Sequence, residues 1–84
     1  MKPVRVVIAD EHTLVLEACK ALLAGDVEVV GTATNGRELI KVVRQLEPDV
    51  VVTDISMPEL NGLDASVKLL KLLPDLKFIF LTVS

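Results

Sequence analysis

The chain reads as one α/β domain: an open parallel sheet with helices on both faces. Three observations predict this. Four runs rich in valine, isoleucine and other strand formers alternate with three stretches whose apolar residues recur at helical spacing. The order is therefore βαβαβαβ, and right-handed crossovers make the strands parallel. Two of the strand runs also end directly in acids. Val4 to Ala9 leads into Asp10-Glu11, and Val50 to Thr53 leads into Asp54. Ligands of open α/β sheets bind at that carboxyl edge.

Each element has its own local warrant. Val4 to Ala9, VRVVIA, is strand one. From Thr13 to Ala24 the residues Val15, Ala18, Cys19, Leu22 and Leu23 form a helical apolar face, and Gly25 is the stop signal. Cys19 lies on that face and reads as a small buried thiol rather than a reactive one. His12 reads as a helix-start residue, because the chain offers no second histidine as a metal partner. Val27 to Ala33, VEVVGTA, is strand two; Glu28 and Gly31 mark it as an edge. Asn35, with Glu38 three residues on, forms a capping box that opens the second helix. Leu39, Ile40, Val43 and Leu46 are its inner face, and Arg37, Lys41 and Arg44 are a solvated basic stripe. Pro48 ends it, since the residue before a proline avoids helical angles. Val50 to Thr53 is strand three. The third helix runs from Asn61 or Gly62 to Leu73, with Val67, Leu70 and Leu73 among its apolar positions. Lys77 to Val83, KFIFLTV, is strand four. Its unbroken apolar run suits a strand paired on both sides. The sequence therefore carries the expectation that a fifth strand and further helix follow in a longer parent.

Composition narrows the function. Eighty-four residues allow one domain, and such a domain buries only about 60–65% of its unfolded surface. Hydrophobic residues make up 51% of the chain and the mean hydropathy is +0.55. Strands buried on both faces account for part of this. A net charge of −3 argues against a nucleic-acid surface. No apolar run approaches the roughly 18–20 residues of a membrane span. Arg5 and Asp10 come too early for a secretory leader. The single cysteine forms no internal disulfide, which points to a reducing cytoplasm.

The chemistry lies in the acids. If strands one and three are neighbours, Asp10, Glu11 and Asp54 converge without a base, and such a cluster repels itself unless it holds a cation. An all-oxygen site with room for water suits magnesium. A carboxylate beside that ion can act as nucleophile toward a phosphoryl group, a reaction that needs mainly positioning and charge neutralisation. Thr82, which closes strand four at the same edge, has a hydroxyl for a phosphate oxygen, and a backbone N–H near Ser56 is a second donor. A lone acid after a strand would be an ordinary solvated residue. A pair and a single, each directly after an apolar strand, is a functional pattern.

These stretches also carry a family resemblance. IADEH, TDISMPELNG and LTVS, in that order, resemble the receiver domain of two-component response regulators, and the likeness covers nearly the whole chain. The resemblance implies a flavodoxin-like sheet of order 2-1-3-4, with Asp54 as phosphoacceptor. It implies that Asp10 and Glu11 form the acidic pocket for Mg2+, with Glu11 a direct ligand, and that Ser56 offers its backbone carbonyl. Thr82 becomes the switch hydroxyl, while Met57-Pro58 and Gly62 match the turn after the acceptor. It also implies a sensor histidine kinase as phosphodonor. The stretches VVGTATNGREL and GLDA are similar to receivers that precede a helix-turn-helix output domain. Residues 1–84 would then be a receiver truncated after strand four, lacking the fourth helix, fifth strand and fifth helix. The family's phosphate-pairing lysine is missing too, and Lys77 stands at the wrong end of strand four to replace it.

Two other readings compete. An aspartate-nucleophile phosphatase of the haloacid dehalogenase kind wants a second Asp two residues after the nucleophile. Ser56 occupies that position, so the chain does not read as an enzyme. A phosphate-independent interaction module would use the exposed strand-four edge, with a homodimer or swapped dimer as its simplest assembly.

Overall fold

The computed structural model describes residues 2–81. Its elements are β1 (Arg5–Ala9), α1 (Thr13–Leu23), β2 (Glu28–Ala33), α2 (Gly36–Leu46), β3 (Val50–Asp54), α3 (Gly62–Leu72) and β4 (Lys77–Leu81). They form a four-stranded parallel sheet of order β2-β1-β3-β4. Strand order, direction and helix count all follow the expectation from the sequence.

The pleat of β1 divides the core in two. Val7 and Ala9 face α2 and α3, and pack with Leu39, Val43, Val51, Ala65 and Leu69. Val6 and Ile8 point the other way, toward Leu16 of α1 and the half-buried Cys19 and Leu23. A central strand must be apolar on both faces because both are covered. That is why residues 6–9 are all buried.

The helix ends form as the local chemistry dictates. The Asn35 side chain accepts from the Glu38 amide at 2.8 Å, and the Glu38 carboxylate accepts from the Thr34 amide at 2.9 Å. Together these bonds satisfy two donors at the start of α2, with Glu38 reaching the residue before the cap rather than the cap itself. Asn61 caps α3 in the same way, accepting from Asp64 at 2.8 Å. Glu47 ends α2 in the left-handed region, just before Pro48. Arg5 covers the exposed carbonyls there, donating to Leu46 and Glu47 at 2.8 and 3.1 Å.

Two expectations need correction. In α1 the residue driven into the core is Leu16, with Cys19 and Leu23 beside it, whereas Val15 and Leu22 are exposed. In α3 the inner face is Ala65, Ser66 and Leu69; Val67 and Leu70 point outward. Both helices carry leucine or valine around most of their circumference, so spacing alone fits more than one face. As the order 2-1-3-4 implies, β4 is an edge strand among the described residues, paired only with β3, and its Ile79 is 53% exposed.

Candidate functional site

The register of β1 and β3 sets the site. Ala9 is the partner of Thr53, so Asp10 and Asp54 leave adjacent parallel strands at the same level of the carboxyl edge. This is the switch point of the sheet. From β1 the chain crosses to β2 on one side, and from β2 it returns past β1 to β3 on the other. The crevice opened by that reversal is where doubly wound sheets bind ligands.

Asp10 is buried, 4% exposed, at the end of a strand whose last residue has no contact with solvent. Its amide donates to the Ala33 carbonyl at 3.0 Å, which ties the acid to β2. Its Oδ1 accepts from the His12 amide at 2.9 Å and stands 3.1 Å from His12 Nδ1. His12 is thus the N-cap of α1, as its position suggested, and a direct neighbour of the acid as well. The acid turning back on an amide two residues later is an Asx turn.

Asp54 ends β3 and is half-buried, with Oδ1 accepting from the Ser56 amide at 3.2 Å. Beneath it, the fully buried Thr53 hydroxyl donates to the Asp54 carbonyl at 2.9 Å. The loop that follows is tightly closed. The Gly62 amide donates to the Ile55 carbonyl at 2.7 Å, the Leu60 amide to Pro58 at 2.8 Å, and Met57 is buried as an anchor. Glu59 lies in the left-handed region at φ 67°, a conformation that costs a non-glycine residue energy and survives only where the surroundings enforce it. A Cβ on Gly62 would overlap the Asp54 carbonyl oxygen, so only glycine lets α3 begin against the end of β3.

The strands bring Asp10 and Asp54 together, but the three acids do not form one cluster. Among the described residues no group of three or more His, Cys, Asp or Glu side chains stands in metal-holding geometry. Glu11 is exposed on its loop, and Asp10 is occupied with His12. Ser56 is exposed beside Asp54. Thr82 lies outside the described residues. Among the described residues the one lysine or arginine ion pair is Lys20–Glu17, so no lysine or arginine neutralises Asp54 there. The donors at this edge are carboxylate and carbonyl oxygens, a set that fits a hard divalent cation keeping several waters.

Sequence reasoning missed two parts of this edge: the Thr53 hydroxyl under Asp54, and the close approach of Gly36, at the start of α2, to Leu60. A threonine within a valine run gave a faint signal for the first. The second is a contact between elements and leaves none in the local pattern.

An open parallel sheet of order 2-1-3-4, with helices on both faces and acids at the switch point, defines a flavodoxin-like domain. The chain belongs to the response regulator receiver domain family, which matches residues 6–84. It is 43% identical to the response regulator GacA of Pseudomonas viridiflava over 82 residues, covering 95% of this chain and 38% of that protein. It is 40% identical over 80 residues to the transcriptional regulatory protein YhcZ of Bacillus subtilis (strain 168), covering 93% of this chain and 37% of that one. Its fold superposes on the signal receiver domain of the response regulator NarL from Mycobacterium tuberculosis with a TM-score of 0.92 at 27% identity, over 100% of this chain and 69% of that one. The chain thus spans well under half the length of these two curated relatives.

Proposed function

We propose that this receiver domain takes a phosphoryl group on Asp54 from a sensor histidine kinase, in the presence of Mg2+. It would do so as the regulatory part of a cytoplasmic response regulator whose output domain binds DNA. The observation that carries the reading is the register Ala9–Thr53, which sets Asp10 beside Asp54 at the switch point. In the transfer an Asp54 carboxylate oxygen attacks phosphorus, the P–O bond forms, the P–N bond of the phosphohistidine breaks, and the histidine nitrogen leaves with a proton. The chain is the acceptor in this step and not an enzyme acting on other substrates.

Each residue has a task. Asp10, Glu11, Asp54 and the Ser56 carbonyl would hold the cation, which would supply neutralisation of the charge that builds on the phosphoryl oxygens. The Ser56 amide, already on Asp54 Oδ1, fixes the orientation of the nucleophile. Thr82 donates its hydroxyl to a phosphoryl oxygen. The output assignment rests on likeness to relatives such as YhcZ, and residues 1–84 are the receiver part of such a protein. A second reading, a phosphate-independent interaction module, has one observation in its favour: among the described residues β4 is paired on one side only. Acetyl phosphate with Mg2+, followed by intact-mass measurement and peptide mapping, separates the two. A single phosphoryl adduct on Asp54 supports the acceptor; an unlabelled protein leaves the interaction module.

A further inference from the structure

We propose that Gly36 is a positioning residue for the loop that follows Asp54, a role that rests on the reading of Asp54 as phosphoacceptor. Gly36 opens α2, where alanine is the better helix former, and no positive φ at this position calls for glycine. The requirement is space. A Cβ at Gly36 would overlap the Leu60 carbonyl oxygen and stand 2.6 Å from its carbonyl carbon and 2.8 Å from the Leu60 Cβ. The first two of these atoms are main chain, so no change of rotamer relieves them.

Either the helix or the loop must give way to an added methyl group, and the helix is the better anchored. Leu39 and Val43 hold it in the core, Asn35 caps its start, and Arg5 binds the carbonyls of Leu46 and Glu47 at its end. The loop is hydrogen-bonded within itself, from Gly62 to Ile55 and from Leu60 to Pro58, so it moves as a unit. One end of that unit is Ser56, whose amide orients Asp54 Oδ1 and whose carbonyl belongs to the proposed cation site. The contact of Gly36 with Leu60 therefore sets where the acceptor loop stands, although Gly36 itself touches no reacting atom.

The test compares Gly36→Ala with Gly31→Ala. A Cβ at Gly31 meets only side-chain ends, Leu46 Cδ1 at 2.8 Å and Val42 Cγ1 at 3.0 Å, which lie away from the loop. Both variants are expected to lose stability. Only Gly36→Ala should slow labelling of Asp54 by acetyl phosphate at saturating Mg2+, roughly 10- to 100-fold for a displacement near 1 Å. It alone should also shift the Ser56 amide resonance in metal-free protein. Wild-type protein that takes no phosphate on Asp54 would overturn the acceptor reading and this proposal with it. Wild-type protein that labels normally, alongside a Gly36→Ala variant that matches Gly31→Ala in rate and in the Ser56 resonance, would overturn the proposal alone. If Gly36→Ala does not fold, it is combined with Leu60→Gly, which removes the Leu60 Cβ contact and loosens the loop, and the labelling rate is compared with that of Leu60→Gly alone. Slower labelling of the double variant supports the positioning role, and an equal rate overturns it.

Discussion

Ala9 and Thr53 are register partners in neighbouring parallel strands, and so Asp10 and Asp54 leave the sheet side by side. Two carboxylates at that spacing, with no lysine or arginine ion-paired to either among the described residues, make an electrostatic demand for a cation. Titration with Mg2+ is expected to move the amide resonances of Asp10, Glu11, Asp54 and Ser56 first. Affinity should be modest, because the protein ligands are few and the ion keeps several waters. Asp10→Asn should weaken binding about tenfold or more, which corresponds to about 1.4 kcal/mol. Shifts confined to other parts of the chain would remove the site.

Asp54 is the acid that combines a strand end with a pre-formed loop and an amide already on its carboxylate. Asp10, by contrast, spends an oxygen on His12 and is buried. With acetyl phosphate and Mg2+, wild-type protein should gain one phosphoryl group and Asp54→Asn none. Asp10→Asn should still label, more slowly, since it loses a cation ligand but keeps the nucleophile. Equal labelling of wild type and Asp54→Asn would place the acceptor elsewhere.

Strand direction, the caps of α2 and both acid-bearing strand ends were legible in the alternation and short-range pattern of the sequence, whereas the sheet order came only with the family resemblance. Val50 to Asp54 shows why: an apolar run stops at a carboxylate, and the strand stops with it. The inner faces of α1 and α3 were not legible. Leu14, Leu16 and Leu22 are chemically the same residue, and only docking on β1 decides that Leu16 is the buried one. Within the site, acids on adjacent strand ends could be paired from topology. The turn of Asp10 toward His12, and the exposure of Glu11, depend on loop geometry that strand periodicity does not encode.

The corrected face of α3 gives a direct stability test. Leu69 is fully buried against the sheet, whereas its neighbour Leu70 is 40% exposed. Leu69→Ala should cost about 2–5 kcal/mol, the range for a buried leucine that leaves a cavity. Leu70→Ala should cost well under half of that. Urea unfolding of the two variants measures the difference, and equal losses would show that α3 docks on the face expected from spacing.

Thr53 tests the floor of the acceptor loop. Its hydroxyl is fully buried and donates to the Asp54 carbonyl, with Met57 Sδ at 3.9 Å. Thr53→Val keeps the shape and deletes the donor. The expected loss is about 1–3 kcal/mol, the range for a buried polar group left without its partner. The Asp54 and Ile55 amide resonances should move more than those of β1. Unchanged stability in urea would mean that water replaces the hydroxyl.

β4 carries the last prediction. It pairs with β3 alone, so its outer amides and carbonyls are free to accept another strand among the described residues. Ile79 projects from the same sheet face as Val50 and Val52, on the side where α1 covers only the β1 end of the sheet. Each such side chain, once buried, contributes about 1.5–3 kcal/mol, and each new backbone hydrogen bond about 0.5–1.5 kcal/mol. Association costs roughly 4–15 kcal/mol in lost freedom. A few side chains and a short ladder therefore just exceed the low end of that cost, which predicts weak, reversible pairing of two chains through β4. Sedimentation of residues 1–84 should show an average mass that rises with concentration. Ile79→Lys should suppress the rise, because a charged side chain on an exposed edge opposes strand addition. A wild-type chain that sediments as a monomer across the whole range would sink the idea, and so would an Ile79→Lys variant that associates as strongly as wild type.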